Sequence, residues 1–259
     1  MIYEELPMLK ILKARFNQGY RTARYPKEAP KLPDLFLGVP VLKPQNCSSG
    51  CSQCLDSCPT DAITLDKGRI SLDLGRCIFC GACADFCSQG AISFSHEHQL
   101  AVSSREDLIL TGEYSKLGVK LDQEIKRVFG RSLKLRQVSA GGCNACEADT
   151  NVLNTLVYDL GRFGIQFVAS PRHADGILIT GPVTVNMREA LLKTYNAIPA
   201  PKIVILVGAC AISGGIFAGH PETNDGATDL FKIDLFIPGC PPHPYTILDG
   251  LLRLLGKLT

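Results

Sequence analysis

Twelve cysteines divide into three sets of four, with none left over. Cys47, Cys51, Cys54 and Cys58, the last followed by Pro59, form one run. Cys77, Cys80, Cys83 and Cys87 form a second. Cys143, Cys146, Cys210 and Cys240 form a third and looser set. Iron–sulfur clusters take four thiolates each, so cofactor ligation constrains this chain before hydrophobic pattern does. The start of the chain carries Glu4 and Glu5 where a secretory signal would carry bases, and no apolar stretch follows. The expectation is a cytoplasmic protein with reduced thiols, in which metal or cluster ligation displaces disulfides.

A length of 259 residues admits one domain or two. The first eight cysteines fall within about forty residues and the last four spread over about a hundred, which favours two. A net charge of +2 is too small for a nucleic-acid binder, and 46% hydrophobic residues can build a core. The uncharged stretch 203–219 is short for a membrane span and contains Gly208, Gly214 and Gly215 beside Cys210. It reads as a buried strand entering a glycine-rich loop.

Residues 1–46 read as an arm. Eight bases between Lys10 and Lys43 are interleaved with Leu9, Ile11, Leu12 and Phe16, and recurrent prolines from Pro26 to Pro44 argue for extended chain. Left uncovered, Leu35, Phe36, Leu37, Val39, Val41 and Leu42 would be a liability, so the arm is expected to pack on a partner subunit. A short helix at a membrane surface is the other functional reading. Residues 47–100 form a two-cluster ferredoxin domain with an internal repeat: Cys58-Pro-Thr-Asp-Ala-Ile63 is echoed by Cys87-Ser-Gln-Gly-Ala-Ile92. Residues 101–132 form a linker in which Leu117, Leu121, Ile125, Val128 and Phe129 lie at helical spacing, closed by Gly130. Residues 133–259 alternate strands (133–138, 165–169, 176–180, 203–207, 233–237) with helices (145–160, 185–195, 245–255). That alternation implies a mostly parallel sheet covered on both faces.

The second run has the C-x2-C-x2-C-x3-C spacing of bacterial two-cluster ferredoxins. The first differs by one extra residue after Cys47. In this pattern the fourth cysteine of each run ligates the other run's cluster. The expected sets are therefore Cys47, Cys51, Cys54 with Cys87, and Cys77, Cys80, Cys83 with Cys58. Small residues (Ser48, Ser49, Gly50, Gly81, Ala82) let backbone amides approach the sulfurs. A pair of zinc knuckles is the competing reading, disfavoured by such dense runs without histidine.

The third set converges for a topological reason. Cys143, Cys210 and Cys240 each follow a predicted strand, and parallel strands present their C-terminal ends along one edge. Cys146 joins from the first turn of the next helix, whose dipole favours a thiolate-bound cluster. The plain alternative makes Cys210 and Cys240 small buried hydrophobes. His96, His98, His173, His220 and His243 form no metal set or triad; His243 could face a cluster sulfur or a partner.

The stretches 142–147 (GCNACE), 208–216 (GACAISGGI), 238–242 (PGCPP) and 247–252 (ILDGLL) resemble the small subunit of membrane-bound-type nickel–iron hydrogenases. These are the relatives of formate hydrogenlyase and energy-converting hydrogenases, and the B-type subunit of respiratory complex I is a cousin. The resemblance covers about residues 131–256. Residues 21–110, with Tyr25-Pro26 and the double cysteine run, are similar to the ferredoxin subunit of the same complexes. The two are fused here. Complex I typically has adjacent first ligands, whereas Asn144 and Ala145 separate Cys143 from Cys146, which favours the hydrogenase branch.

The resemblance implies a flavodoxin-like α/β domain behind an α+β bacterial-type ferredoxin domain, with three 4Fe–4S clusters passing electrons to or from a nickel–iron site. No cysteine is spare for nickel, so that site belongs to a large subunit and this chain holds no catalytic residue. Implied partners are the large subunit, an electron-input subunit or ferredoxin, and membrane subunits, with attachment peripheral to the cytoplasmic face. Glu147 would lie at the large-subunit interface, as a proton relay or simply as a first-turn carboxylate. A complex-I-like subunit without hydrogenase activity, and a cluster-bearing scaffold or redox sensor, are the competing functions.

Overall fold

The computed structural model describes residues 7–48, 50–66, 69–112, 129 and 131–258. The predicted helix of the linker lies outside the described residues except for Phe129, which is helical and buried.

The second half is a five-stranded parallel sheet. Its strands are β6 (Leu133–Ser139), β7 (Ile165–Phe167), β8 (Gly176–Thr180), β9 (Ile203–Val207) and β10 (Leu235–Ile237), in the order β10-β9-β8-β6-β7. All four pairings are parallel. This is the flavodoxin-like doubly wound order, whose switch point falls between β6 and β8. Every residue of β8, β9 and β10 is buried, as strands covered on both faces require. The stretch 203–219 is accordingly strand β9 followed by Gly208 and a short helix. Among the described residues no helix is long and apolar enough to cross a membrane.

Three predicted elements are shorter than expected. The helix expected over 145–160 stops at Asn151 (α4, Ala145–Asn151) and passes through a 3-10 turn at Val152–Asn154. Thr150, Asn151, Val152, Asn154 and Thr155 are weak helix formers in succession, and nothing in the local sequence sustains the helix past them. Strand β7 ends at Phe167, not at 169. Strand β10 begins at Leu235, not at 233. There the Asp234 carboxylate accepts a hydrogen bond from Val204 N at 2.8 Å, a side chain standing in for a ladder bond. Helix α5 (Val185–Ala197) instead runs slightly past its expected end at 195.

In the first half, the ferredoxin repeat builds matching pieces. Short helices α2 (Gln53–Asp56) and α3 (Ala82–Asp85) follow the leading cysteines of each run. Strands β2 (Ile63–Asp66) and β4 (Ile92–Phe94) follow the trailing ones. β2 pairs with β3 (Arg69–Asp73), and β3 pairs with β5 (Ile109–Leu110).

The arm departs from expectation. Helix α1 (Pro7–Gln18) leaves Met8, Leu9, Ile11, Leu12 and Phe16 exposed. From Ala23 onward, however, the arm packs on its own chain. Ala23 N donates to Val157 O at 2.8 Å, and Arg162 donates to the Ala23 and Tyr25 carbonyls. Tyr25 is buried, and β1 (Pro40–Leu42) pairs antiparallel with β4. Part of the apolar run that needed cover is covered within this polypeptide: Val39 and Leu42 are buried, while Leu35 remains 92% exposed.

Further contacts join the two halves. Val102 and Phe236 exchange backbone hydrogen bonds of 3.0 and 2.8 Å, and Ser213 Oγ donates to Gly75 O at 2.9 Å. One apolar core runs from Leu42 and Ile70 to Val204 and Leu206.

Candidate iron–sulfur centres

Each trailing cysteine of the ferredoxin repeat starts the same turn. Asp61 and Gly90, three residues after Cys58 and Cys87, both adopt left-handed backbone (φ 49° and 62°). The next amide then points back at the sulfur: Ala62 N donates to Cys58 Sγ at 3.3 Å and Ala91 N to Cys87 Sγ at 3.2 Å. Phe79 N donates to Cys77 Sγ at 3.3 Å. The internal repeat is thus a repeat of N–H···S contacts, the kind that tune a cluster's potential.

The long-range grouping crosses the two runs. One cavity is lined by Cys47, Cys51, Cys54 and Cys87. A second is lined by Cys77, Cys80, Cys83 and Cys58.

The third set gathers at the C-terminal edge of the parallel sheet. Cys143 follows β6. Cys210 lies in helix α6 (Ala209–Ser213) after β9, and Cys240 follows β10. Cys146 sits in the first turn of α4 and is buried. The backbone has no room to spare: a Cβ on Gly208 would stand 2.5 Å from Cys146 Sγ, and one on Gly215 would stand 2.9 Å from Cys210 Sγ. Gly208 also has φ +92°, which side chains rarely adopt. Gly208→Ala is therefore expected to drive Cys146 from its position and cost the third centre. Iron per chain measures this, with Gly112→Ala, where nothing lies within 4 Å, as the neutral control.

All twelve thiols are free. Burial pushes Cys77 up to about 12 and Cys83 to about 11, with neighbouring thiols adding to the rise. Burial pushes Cys210 to about 11, helped by Cys240 and Cys143. Cys146 is raised by burial, then by Cys210, Glu147, Cys240 and Cys143. Thiols held this way ionise only when a cation takes up the charge. Four cysteines around each ferredoxin cavity, with amides aimed at Cys58, Cys77 and Cys87, and glycines where a side chain would meet Cys146 or Cys210, fit multi-iron cores. Among the described residues, no three His, Cys, Asp or Glu side chains close tightly enough for a single ion.

Glu147 is buried and accepts a 2.6 Å hydrogen bond from Thr180 Oγ1, a partner the sequence did not signal. His243 caps helix α7 (Pro244–Leu254), its Nδ1 accepting from Tyr245 N at 3.1 Å. A buried joint is equally silent in the sequence: Asp249 on α7 accepts from Tyr25 Oη at 2.7 Å, Gln99 Nε2 at 3.2 Å and Arg253 Nε at 2.6 Å. Asp249 lies in the stretch 247–252, whose pattern gives no sign of a role for its acid.

Comparison with known proteins agrees with this construction. Residues 143–254 match the family model described as NADH ubiquinone oxidoreductase, 20 Kd subunit, and residues 45–92 match a 4Fe-4S dicluster domain. The probable membrane-bound hydrogenase subunit mbhJ of Pyrococcus furiosus is 42% identical over 135 residues, covering 52% of this chain and 81% of that one. Formate hydrogenlyase subunit 7 of Escherichia coli is 44% identical over 128 residues, 49% of this chain and 50% of that one. The B-type subunit of NADH-quinone oxidoreductase from Citrifermentans bemidjiense is 42% identical over 117 residues, 45% of this chain and 68% of that one.

A flavodoxin-like sheet with cysteines at its ligand edge, behind a dicluster ferredoxin domain, defines an iron–sulfur electron-transfer subunit of a hydrogenase-like or complex-I-like oxidoreductase. The ferredoxin half carries the ligand pattern for 4Fe–4S clusters. The chain belongs to the family of the NADH:ubiquinone oxidoreductase 20-kDa subunit and the corresponding hydrogenase small subunits.

Proposed function

We propose that this chain is the electron-transfer subunit of a nickel–iron hydrogenase complex, connecting a large-subunit active site to an external electron carrier. When bound, three 4Fe–4S clusters would supply the electron-carrying states. Cys47, Cys51, Cys54 and Cys87 would hold the first. Cys58, Cys77, Cys80 and Cys83 would hold the second, and Cys143, Cys146, Cys210 and Cys240 the third. The chain's own residues grip the clusters, hydrogen-bond their sulfurs and exclude solvent.

The carrying observation is the third set. Its pair Cys143 and Cys146 is separated by two residues, the hydrogenase-like spacing. Cys143 and Cys240 are exposed at the sheet edge while Cys146 and Cys210 are buried. An edge so arranged suits docking of a large subunit, and Glu147 behind it suits a first-turn carboxylate without requiring proton transfer. The hydrogenase relatives point the same way. A complex-I-like partner without nickel is the second reading, favoured by the NADH-quinone oxidoreductase relatives.

Gentle purification through a tag on this chain separates the two. The hydrogenase reading expects a co-purifying large subunit with two C-x2-C pairs, bound nickel, and hydrogen-dependent reduction of a viologen dye. A large subunit lacking those pairs and nickel would establish the second reading instead.

A further inference from the structure

Between the second and third cysteine sets lies a cavity of about 260 Å³. The arm forms one wall through Phe36 and Leu37, the ferredoxin domain another through Phe79, and Cys240 opens onto it from the α/β domain. Phe36 is fixed edge-on to His243, with ring centroids 5.5 Å apart. Leu37 reaches the backbone between Cys80 and Cys83, its Cδ1 only 3.2 Å from where a Cβ on Gly81 would stand.

Three polar side chains also line this cavity: Asp149, His243 and Thr246. Thr246 is 0% exposed, and its hydroxyl has no hydrogen-bond partner. A buried hydroxyl left without a partner is destabilising. His243 uses Nδ1 to accept from Tyr245 N, which leaves Nε2 as the ring's proton-bearing nitrogen. The Asp149 carboxylate has no hydrogen bond or ion pair among the described residues.

We propose that this cavity is an ordered-water site, in which water bound by Thr246, Asp149 and His243 hydrogen-bonds the Cys240 sulfur and sets the potential of the third centre. A structural water needs two to four polar partners and a space of about 10–15 Å³. The cavity supplies three partners, the sulfur, and room for several molecules. The arm covers the cavity on one side through Phe36 and Leu37. Hydrogen bonds to a ligating sulfur stabilise the more negative, reduced state and raise the potential.

The inference rests on the third cluster being present, and its test keeps the two apart. A high-resolution crystal structure of the holoprotein is expected to show water within hydrogen-bond distance of Thr246 Oγ1 and Asp149; a dry cavity overturns the proposal. In redox titrations followed by electron paramagnetic resonance, Thr246→Val is expected to lower the midpoint of the third centre alone, and Thr246→Ser to keep it near wild type. A third-centre midpoint unchanged in Thr246→Val overturns the proposal. If Thr246→Val does not fold, exchangeable-deuteron couplings at the wild-type third centre in D2O, beyond those of backbone amides, give the same decision. Missing third-centre signal together with a shortfall of about four iron atoms counts against the cluster reading instead, and the crystallographic result still decides the water site.

Discussion

Cys146→Ala is expected to reduce iron from about twelve to about eight atoms per chain. It should abolish one paramagnetic centre while leaving the other two intact. Cys146 is a deeply held member of its set, with the Gly208 backbone against its sulfur. The ferredoxin cavities are lined by other cysteines altogether. The crossed grouping makes a sharper demand. Cys87→Ala should damage the centre of Cys47, Cys51 and Cys54, although Cys87 belongs to the other run in sequence. Cys58→Ala should damage the centre of Cys77, Cys80 and Cys83. If each substitution instead removed the centre of its own run, the grouping read from the two cavities would be wrong. Zinc in place of iron would end the cluster assignment entirely.

Asp249→Ala is expected to be the most destabilising single change away from the cysteines, by about 3–5 kcal/mol. Asp249 is 0% exposed and joins three parts of the chain: Tyr25 from the arm, Gln99 from the end of the ferredoxin domain, and Arg253 one turn along α7. Removing the carboxylate takes the 2.6 Å ion pair from the Arg253 guanidinium, whose side chain is only 14% exposed. Tyr25→Phe removes one hydrogen bond to a charged group and leaves the other two, so its cost is nearer about 1.5–3 kcal/mol. Burial and the Asp249 charge both raise the Tyr25 phenol well above its ordinary value. Thermal midpoints of the holoprotein rank these variants. Limited proteolysis shows where the loss falls, since Asp249→Ala should expose the arm near Ala23 to cleavage and wild type should resist it. Equal resistance in the two would mean that the joint does not hold the arm.

Chemistry that repeats at short range was legible before any fold was known. Cysteine spacing named the candidate ligands, the echo of residues 58–63 in 87–92 foretold two matching halves, and strand alternation gave the parallel sheet. Other readings failed at the same kind of place. The segment 145–160 showed where a helix starts but not that its successive weak formers would end it at Asn151. The apolar residues of 35–42 announced that they needed a cover. They could not say that the cover of Val39 and Leu42 lies within the chain itself, where β1 pairs with β4.

The sequence by itself therefore determined the cofactor class, the domain types and the cysteines that could serve as ligands, because thiol number, spacing and residue period are properties of neighbours along the chain. Only the tertiary structure decided the buried Tyr25–Asp249 joint, the seat of the arm and the cavity between the second and third cysteine sets. Those depend on which distant surfaces meet, and an exposed and a buried aspartate are written with the same letter.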